Sequence, residues 1–544
     1  MIAPAIVILG VGSLPVARKI AAALPDAQVH GLKSRVAGAD IAFDEFGPAL
    51  RELFVSDTPI IVLCATGIVV RALAPLLQDK RAEPPVIVVA EDGSAIVPLL
   101  GGLRGVNDLA RRIGAALETA PAITTTGEVR FGATLELAPE GYVLANPEAG
   151  KRFMSDLLAG EKVRIDGKAP WLAETRLPID PGGALTIRVT PQAVTPADGE
   201  IVFHPRAVRV DVRSGAADRV VAALEAQGLA PQAVACVVAA ENDAADPAIH
   251  ALAKALDRPL RIVAALDTDP VKLTVADAPI DSATIGRARG KLSVIGIGPG
   301  SLDWRTPEAQ RELAQADDLI GYETYLRMAG PFAPHQIVHA TDNREEMARA
   351  RHAFELAAQG RSVAVVSSGD PGIFAMAAAV LEALHESADP AWHGVELKIV
   401  PGISAAQAAA ARSGAPLGHD FCVISLSDNL KPWDVIERRL TLAAQADLVL
   451  ALYNPISRAR PTQLAQALTT IRAHRAPQTP VVLGRDIGRP DETSRVVTLG
   501  ALDPADVDMR TVVIIGSSTT ATFDGGRWVY TPRWYGDKKP ISEN

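Results

Sequence analysis

Cysteine is nearly absent: three residues, Cys64, Cys236 and Cys422, in 544. They lie far apart, in no metal-ligand spacing, and each is flanked by apolar residues, which reads as buried free thiols in a reducing compartment. Aromatic residues make up only 4%, so the apolar mass is Ala, Val, Leu and Ile, the material of helices packed closely on parallel strands. A basic excess is also missing. The net charge of -9 offers no general means of displacing counterions from phosphates and argues against nucleic acid as a partner. No apolar run is long enough to span a bilayer: the longest, 60–70, is broken by Gly67 and ended by Arg71. There is no fixed-period repeat, no low-complexity tract and no signal-peptide pattern before the first apparent strand. These absences predict a soluble cytoplasmic protein that avoids membranes.

What is present is ordinary globular material, 48% apolar and 22% charged. A chain of this length is too long for one core and predicts three or four α/β domains. Apolar runs at 5–10, 59–64 and 85–89 suit buried parallel strands, with helical patterns at 71–77 and 107–117. The reading places an N-terminal α/β domain at 1–138. A looser, Pro/Gly-punctuated middle region follows at 139–205. A small domain at 206–285 has strands at 208–212 and 233–239 and helices at 216–227 and 249–256. The stretch 277–290 (DAPIDSATIGRARG) is small, polar and glycine-bearing, and reads as a linker. A fresh strand-loop-helix pattern then runs through 291–535. Its strands are expected near 292–296, 363–367, 396–400, 421–426, 447–453, 480–485 and 511–515, with an Ala-rich helix at 405–411.

Four short loops in this last region carry chemistry. Gly296-Ile-Gly-Pro-Gly300 follows a strand; its glycines let the backbone turn sharply and bring N–H groups close to a ligand. It lacks the third glycine of a dinucleotide fingerprint, and Pro299 stiffens it. Thr306-Pro-Glu308 then reads as a helix start. Ser367-Ser-Gly-Asp-Pro-Gly-Ile373 sets a carboxylate beside Gly and Pro at a strand end, as a ligand contact or simply a tight turn. Val400-Pro-Gly-Ile-Ser404-Ala405 opens the Ala-rich helix, and Leu452-Tyr-Asn-Pro455 ends another strand. Each is weak alone. Together they stand at the carboxyl ends of expected parallel strands, where open α/β sheets place ligands.

This ordered set resembles the tetrapyrrole methylases, which fold as two α/β lobes and hold S-adenosylmethionine between them. Longer stretches resemble the precorrin-3B C17-methyltransferases: Gly321-Tyr-Glu-Thr-Tyr-Leu326, Ala415-Pro-Leu-Gly-His-Asp-Phe-Cys-Val-Ile-Ser-Leu-Ser-Asp428 with Pro432-Trp433, Gly484 to Pro490 with Asp491-Glu492, and Thr531-Pro-Arg-Trp-Tyr535. Phe374 and Trp534 depart from the usual Tyr and Gly.

The resemblance implies a multidomain α/β protein ending in a two-lobed methylase. Its implied activity is S-adenosylmethionine-dependent methylation of precorrin-3B, or its cobalt form, at carbon 17 with ring contraction to precorrin-4. The implied cofactor-binding residues are Pro299, Ser368, Gly369, Asp370, Ile373, Ser404, Ala405, Asn454 and, more loosely, Gly484. No metal is implied. Methyl transfer mainly needs alignment and dryness, whereas ring contraction needs proton transfers. Asp303, Tyr322, His419 and Asp428 are the candidates for these, the alternative for His419 being a satisfied pair with Asp420. A polycarboxylate substrate should also meet arginines, for which Arg327, Arg412, Arg458, Arg460, Arg485 and Arg489 are available. A homodimer through the methylase is implied. Methylation of another corrin carbon, or of rRNA, is the same-fold competitor.

The N-terminal half resembles a second family, the cobalt-precorrin-5A hydrolases, through Ala65-Thr-Gly-Ile-Val-Val-Arg71, Ala74-Pro75, Lys80, Glu91-Asp-Gly93, Gly101-Gly102 and Asn107. Residues 206–285 resemble that family's small C-terminal domain. Ala90 and Leu103 stand where an acid and a His are usual, the Arg-Arg-Gly turn has become Arg213-Ser-Gly215, and a characteristic Lys is missing from 242–246. A hydrolase without its acid or base loses most of its rate. The expectation is a degenerate, corrinoid-binding half, the alternatives being a working hydrolase or a non-catalytic carrier or scaffold.

Overall fold

The computed structural model describes residues 3–24, 27–80, 83–333, 335–342, 345–457 and 459–534. The chain divides into two compact units, one formed chiefly by the residues up to Arg289, with a short piece at 333–335, and the other by the rest from Gly290 on.

The first unit begins with a six-stranded sheet in the order Ile41–Phe43, Gln28–Leu32, Ala5–Ile8, Ile60–Leu63, Val86–Val89, Ile96–Leu100. Only the last strand is antiparallel to its neighbour. Ile6, Ile8 and Ile61 pack on helices Leu14–Ala23 and Val106–Leu117 on one face; Val7, Ile60 and Val62 pack on Phe46–Val55 and Thr66–Leu73 on the other. A strand covered on both faces must be apolar at every position, which is why these runs do not alternate. The helix expected at 71–77 instead starts at Thr66 and ends at Leu73 before a 3-10 turn, Ala74–Leu76. Pro75 has no N–H to continue the helix.

The middle region is not loose. Tyr142–Leu144, Glu200–Pro205, Leu185–Val189 and Val163–Asp166 form a four-stranded sheet. Helix Pro147–Ala159 covers it, with Phe153, Leu157, Ile187 and Phe203 in a common core. Its glycines occupy turns, as at Gly167 (φ 106°), so punctuation hid short strands. A five-stranded sheet follows, ordered Val271–Val275, Val208–Val212, Val234–Ala240, Leu260–Val263, Arg287–Ala288. Part of the expected linker, Arg287–Ala288, is therefore paired strand. The helix expected at 216–227 is a 3-10 turn, Ala217–Arg219, running into Val220–Ala226.

The second unit has two lobes. The sheet of the first is wholly parallel, in the order Ile337–Thr341, Asp318–Tyr322, Ser362–Ser367, Lys291–Gly296, Glu396–Val400. The second is mixed: Phe421–Ser425 runs parallel to Val449–Tyr453, while Thr511–Ile515, Pro480–Arg485 and Thr493–Thr498 add antiparallel pairings. The expectation of parallel strands throughout is thus corrected here. Helix Ala405–Ser413 packs its alanines on Val482, Val512 and Ile514 of this sheet. Small side chains let helix and strand approach closely: a Cβ at Gly484 would lie 2.6 Å from that of Ala409. Two of the three cysteines are buried and Cys422 is partly exposed; burial first of all pushes the Cys64 and Cys236 thiols up to about 11.

Candidate functional site

Three loops leave the carboxyl ends of adjacent strands in the first lobe, and backbone joins them. Gly298 donates its N–H to the Gly369 carbonyl at 3.2 Å and accepts the Gly369 N–H at 2.8 Å. Asp370 links the second loop to the third. One carboxylate oxygen accepts the Gly372 N–H at 2.8 Å, and the other accepts the Gly402 N–H at 3.1 Å. There is no room for side chains at this junction: a Cβ at Gly296 would stand 2.6 Å from the Gly369 oxygen and 2.8 Å from the Gly402 nitrogen. Gly369 differs. It has φ 68°, and a Cβ there would meet only backbone of Ile403, Ser404 and Ala405, at 3.8 to 4.0 Å.

Ser404 is buried and caps the following helix. Its Oγ accepts the Gln407 N–H at 3.3 Å while the Gln407 Oε1 accepts the Ser404 N–H at 3.0 Å, a reciprocal capping box. The second lobe reaches this helix start through Tyr453, whose hydroxyl accepts the Ala406 N–H at 2.8 Å. Burial pushes that phenol up, so it stays protonated. Asn454 follows in the left-handed region at φ 51° and donates from Nδ2 to Ser425 Oγ at 3.0 Å. The lobes meet again at Pro299, whose carbonyl accepts from Arg489 Nε at 3.3 Å; a Cβ at Gly488 would lie 3.1 Å from its ring.

Of the residues singled out in the sequence, Pro299, Ser368, Gly369, Asp370, Ile373, Ser404 and Ala405 stand on these three loops, and Asn454 stands at the matching end of the second sheet. Gly484 is accounted for by its packing beneath Ala409. Tyr322 ends a strand beside the second loop and meets Tyr325 edge-on, ring centroids 5.2 Å apart. Asp303 is exposed on the turn after the first loop, its N–H held by Ser301 Oγ at 3.3 Å. Asp428 follows the Phe421–Ser425 strand and accepts from Gln463 Nε2 at 3.0 Å. His419 precedes that strand, at the end away from Asn454, and its Nδ1 accepts the Asp420 N–H at 2.7 Å.

The arginines divide similarly. Arg460 is buried and donates to the Asn454 carbonyl at 3.1 Å, a structural role. Arg412 pairs with Glu492 at 2.9 Å and lies 4.5 Å over the Trp304 ring. Arg485 is engaged by Asp508 at 2.9 Å, and Arg489 lies 3.4 Å from Asp486. Arg327 is exposed on its helix, and Arg458 lies outside the described residues.

The cation the sequence reading missed is Lys431. Its Nζ lies 5.7 Å from the centre of the Phe374 ring, so a second-lobe lysine faces the loop that carries Asp370. It makes no hydrogen bond or ion pair among the described residues, and burial, then Arg439, lowers its pKa. Phe374 itself has φ 52° and also meets Tyr453, centroids 5.6 Å apart. No local pattern could bring positions 374, 431 and 453 together. A cavity of about 480 Å³ lined by Asp447, Arg475 and Ser518 opens at the other end of the second sheet, away from this cleft.

In the first unit, the strand order reverses direction between Ala5–Ile8 and Ile60–Leu63, and the Ala65-Thr-Gly segment lies at that point. Asp92 is spent on a local turn, accepting from Ser94 Oγ at 2.6 Å. The buried Asn107 donates to Thr125 Oγ1 at 3.3 Å. In the small domain Arg213 is paired with Asp243 at 2.6 Å, and Asp246 is consumed by Ser214, Gly215 and Ala248.

Comparison with known proteins follows this division. The model of the tetrapyrrole (corrin/porphyrin) methylases matches residues 291–503, and that of the cobalamin synthesis G N-terminal region matches 48–128. A Sinorhizobium sp. precorrin-3B C(17)-methyltransferase is 53% identical over 250 residues, 45% of this chain and 97% of the relative. The chain belongs to the tetrapyrrole methylases. The methylase half is also 53% identical to the cobalamin biosynthesis protein CobIJ of Mycobacterium tuberculosis over 252 residues, 45% of this chain. The match spans only about half of that relative's length (48%). The crystal structure of the methyltransferase CobJ shares 48% identity with the methylase half, covering 45% of this chain and 100% of that one with a TM-score of 0.43. Among the described residues no helix is long and apolar enough to cross a membrane.

Proposed function

We propose that the methylase half transfers a methyl group from S-adenosylmethionine to carbon 17 of precorrin-3B, or of its cobalt form, with ring contraction to precorrin-4 in cobalamin biosynthesis. The observation that carries this is the backbone junction at Gly298, Gly369 and Gly402, closed by Asp370 and faced by Tyr453. Glycines let three loops close on one another at the carboxyl ends of parallel strands, the place where open α/β sheets hold ligands. The relatives' names support this substrate.

Pro299, Ser368, Gly369, Asp370, Ile373, Ser404, Ala405 and Asn454 would hold the cofactor, which supplies a sulfonium-bound methyl group when present. The loops of this chain orient and exclude water, which suits a reaction governed by alignment. Rigid strand ends and the capping box keep the loops from drifting. Lys431, unpaired and half-buried across from Phe374, would anchor a substrate carboxylate. Tyr322 and Asp428 remain the candidates for moving protons during contraction, with Asp303 more distant from support. A cytoplasmic homodimer through this half belongs to the same proposal.

For the N-terminal half we infer corrinoid binding without full lactone opening. Ala90 and Leu103 offer no proton-transfer group, and Arg213 is already neutralised by Asp243. Mass spectrometry of the product formed from precorrin-3B, and from its cobalt analogue, tests the first reading: a product heavier by one methyl group supports it, and unaltered substrate with both overturns it. Acetaldehyde release from cobalt-precorrin-5A would overturn the second.

A further inference from the structure

Two half-buried arginines in the first unit each have an Nε sealed from solvent without an acceptor. Arg206 follows strand Glu200–Pro205 and leads into Val208–Val212; Arg258 follows helix Pro247–Ala255 and leads into Leu260–Val263. Those last two strands flank Val234–Ala240, and both run parallel to it. Both arginines therefore stand at amino ends of parallel strands, at one end of one sheet. Their backbones are held firmly. Arg206 donates its N–H to the Gly141 carbonyl at 2.8 Å and accepts from Ile280 at 2.9 Å, and Arg258 donates to the Ala253 carbonyl at 2.9 Å.

The side chains have no such partners. The Nε of each is sealed from solvent with no acceptor, and neither guanidinium makes a hydrogen bond among the described residues. Arg206 has no ion pair among them either. The side chain of Arg258 is 11% exposed, and its one acidic neighbour, Asp257, stands 3.8 Å away with its own side chain 99% exposed. A carboxylate in open water screens a buried charge poorly. Burial, followed by the charge of Arg206, pushes the Arg258 guanidinium below its ordinary value. Folded proteins do not normally seal donors from water without giving them acceptors. Elsewhere in this unit, Arg188 and Arg213 each have a carboxylate at 2.5 to 2.6 Å.

We propose that Arg206 and Arg258 form a binding site for an oxyanion, a carboxylate or phosphate group seated between two guanidiniums at this end of the sheet. A guanidinium presents planar N–H donors that match either group, and two of them give a net positive charge that, among the described residues, only the exposed Asp257 carboxylate opposes. The anion would come either from a side-chain carboxylate of a tetrapyrrole or from a free or esterified phosphate.

The test is thermal unfolding of the full chain in anion-poor buffer, titrated in separate arms with inorganic phosphate and with succinate. Wild type should gain roughly 2–4 °C at saturation in at least one arm. A larger shift with succinate assigns the site to carboxylates, and a larger shift with phosphate to phosphates. Arg206→Met and Arg258→Met should each lose most of that shift. Arg258→Met should also unfold no earlier than wild type without anion, because it removes a poorly compensated buried charge. Should Arg258→Met fail to fold, Arg206→Met and calorimetric titration of wild type with phosphate carry the same decision. No shift in either arm for wild type, or an undiminished shift in the variants, overturns the proposal.

Discussion

The Asp370 carboxylate accepts the Gly402 N–H at 3.1 Å, tying the second loop of the methylase cleft to the third across 32 residues of chain. Its other oxygen holds Gly372 at 2.8 Å, so one side chain braces both loops. Asp370→Ala should weaken S-adenosylhomocysteine binding about 10- to 100-fold, the equivalent of one or two charge-assisted hydrogen bonds. Asp370→Asn should lose less, because an acceptor oxygen remains. Isothermal titration gives both constants, and an unchanged value for the alanine variant would mean this junction does not hold the cofactor.

Gly402 is a packing requirement of the same junction. A Cβ there would overlap the Gly369 oxygen and lie 2.8 Å from that of Gly296, and both are backbone atoms that cannot swing away. Gly402→Ala should cost about 1–3 kcal/mol and reduce cofactor affinity with it. Gly12→Ala, at an exposed position with nothing within 4 Å, should change neither. Denaturant midpoints for the two variants check the contrast.

Lys431 separates binding from chemistry. If it anchors a substrate carboxylate, Lys431→Met should raise the KM for the tetrapyrrole about tenfold and leave kcat within about threefold. Lys431→Arg should restore most of the loss, and the cofactor dissociation constant should not move. A fall in kcat at unchanged KM would refute the anchoring role.

Glu312 reports on the first lobe. Burial pushes its carboxyl up, but hydrogen bonds from Lys291, Ser293 and Lys398 outweigh this and bring it down to about 2. Lys291 and Lys398, on adjacent strands, both approach to 2.9 Å. A depressed carboxylate stabilises the fold above its ordinary value of 4.5, and that contribution disappears as pH falls towards about 2. Glu312→Gln should therefore cost about 2–3 kcal/mol at pH 7 and little near pH 2. Urea unfolding across that range checks the convergence; a pH-independent difference would contradict it.

Much of the cleft was legible because loops at strand ends are local events. A strand followed by Gly-x-Gly, or by Ser-Gly-Asp-Pro-Gly, shows in sequence where backbone will be bare. The middle region was misread for the converse reason: strands as short as Tyr142–Leu144, set between turns, lack the length for periodicity to show. The mixed second sheet was illegible too, since an apolar run such as Thr511–Ile515 does not encode which way its neighbours point. His419 and Asp428 belong to one continuous motif, yet the strand Phe421–Ser425 between them sets them at its opposite ends.

The sequence by itself determined that the chain is layered α/β, which family its second half joins, and where its bare loops fall, because these depend on residue order over spans of a few residues. Only the tertiary structure decided that Asp370 closes onto Gly402, that Lys431 faces Phe374, and that Arg206 and Arg258 share one end of a sheet. Such pairings depend on which strands become neighbours, and that is settled by burial of whole sheets rather than by any local pattern.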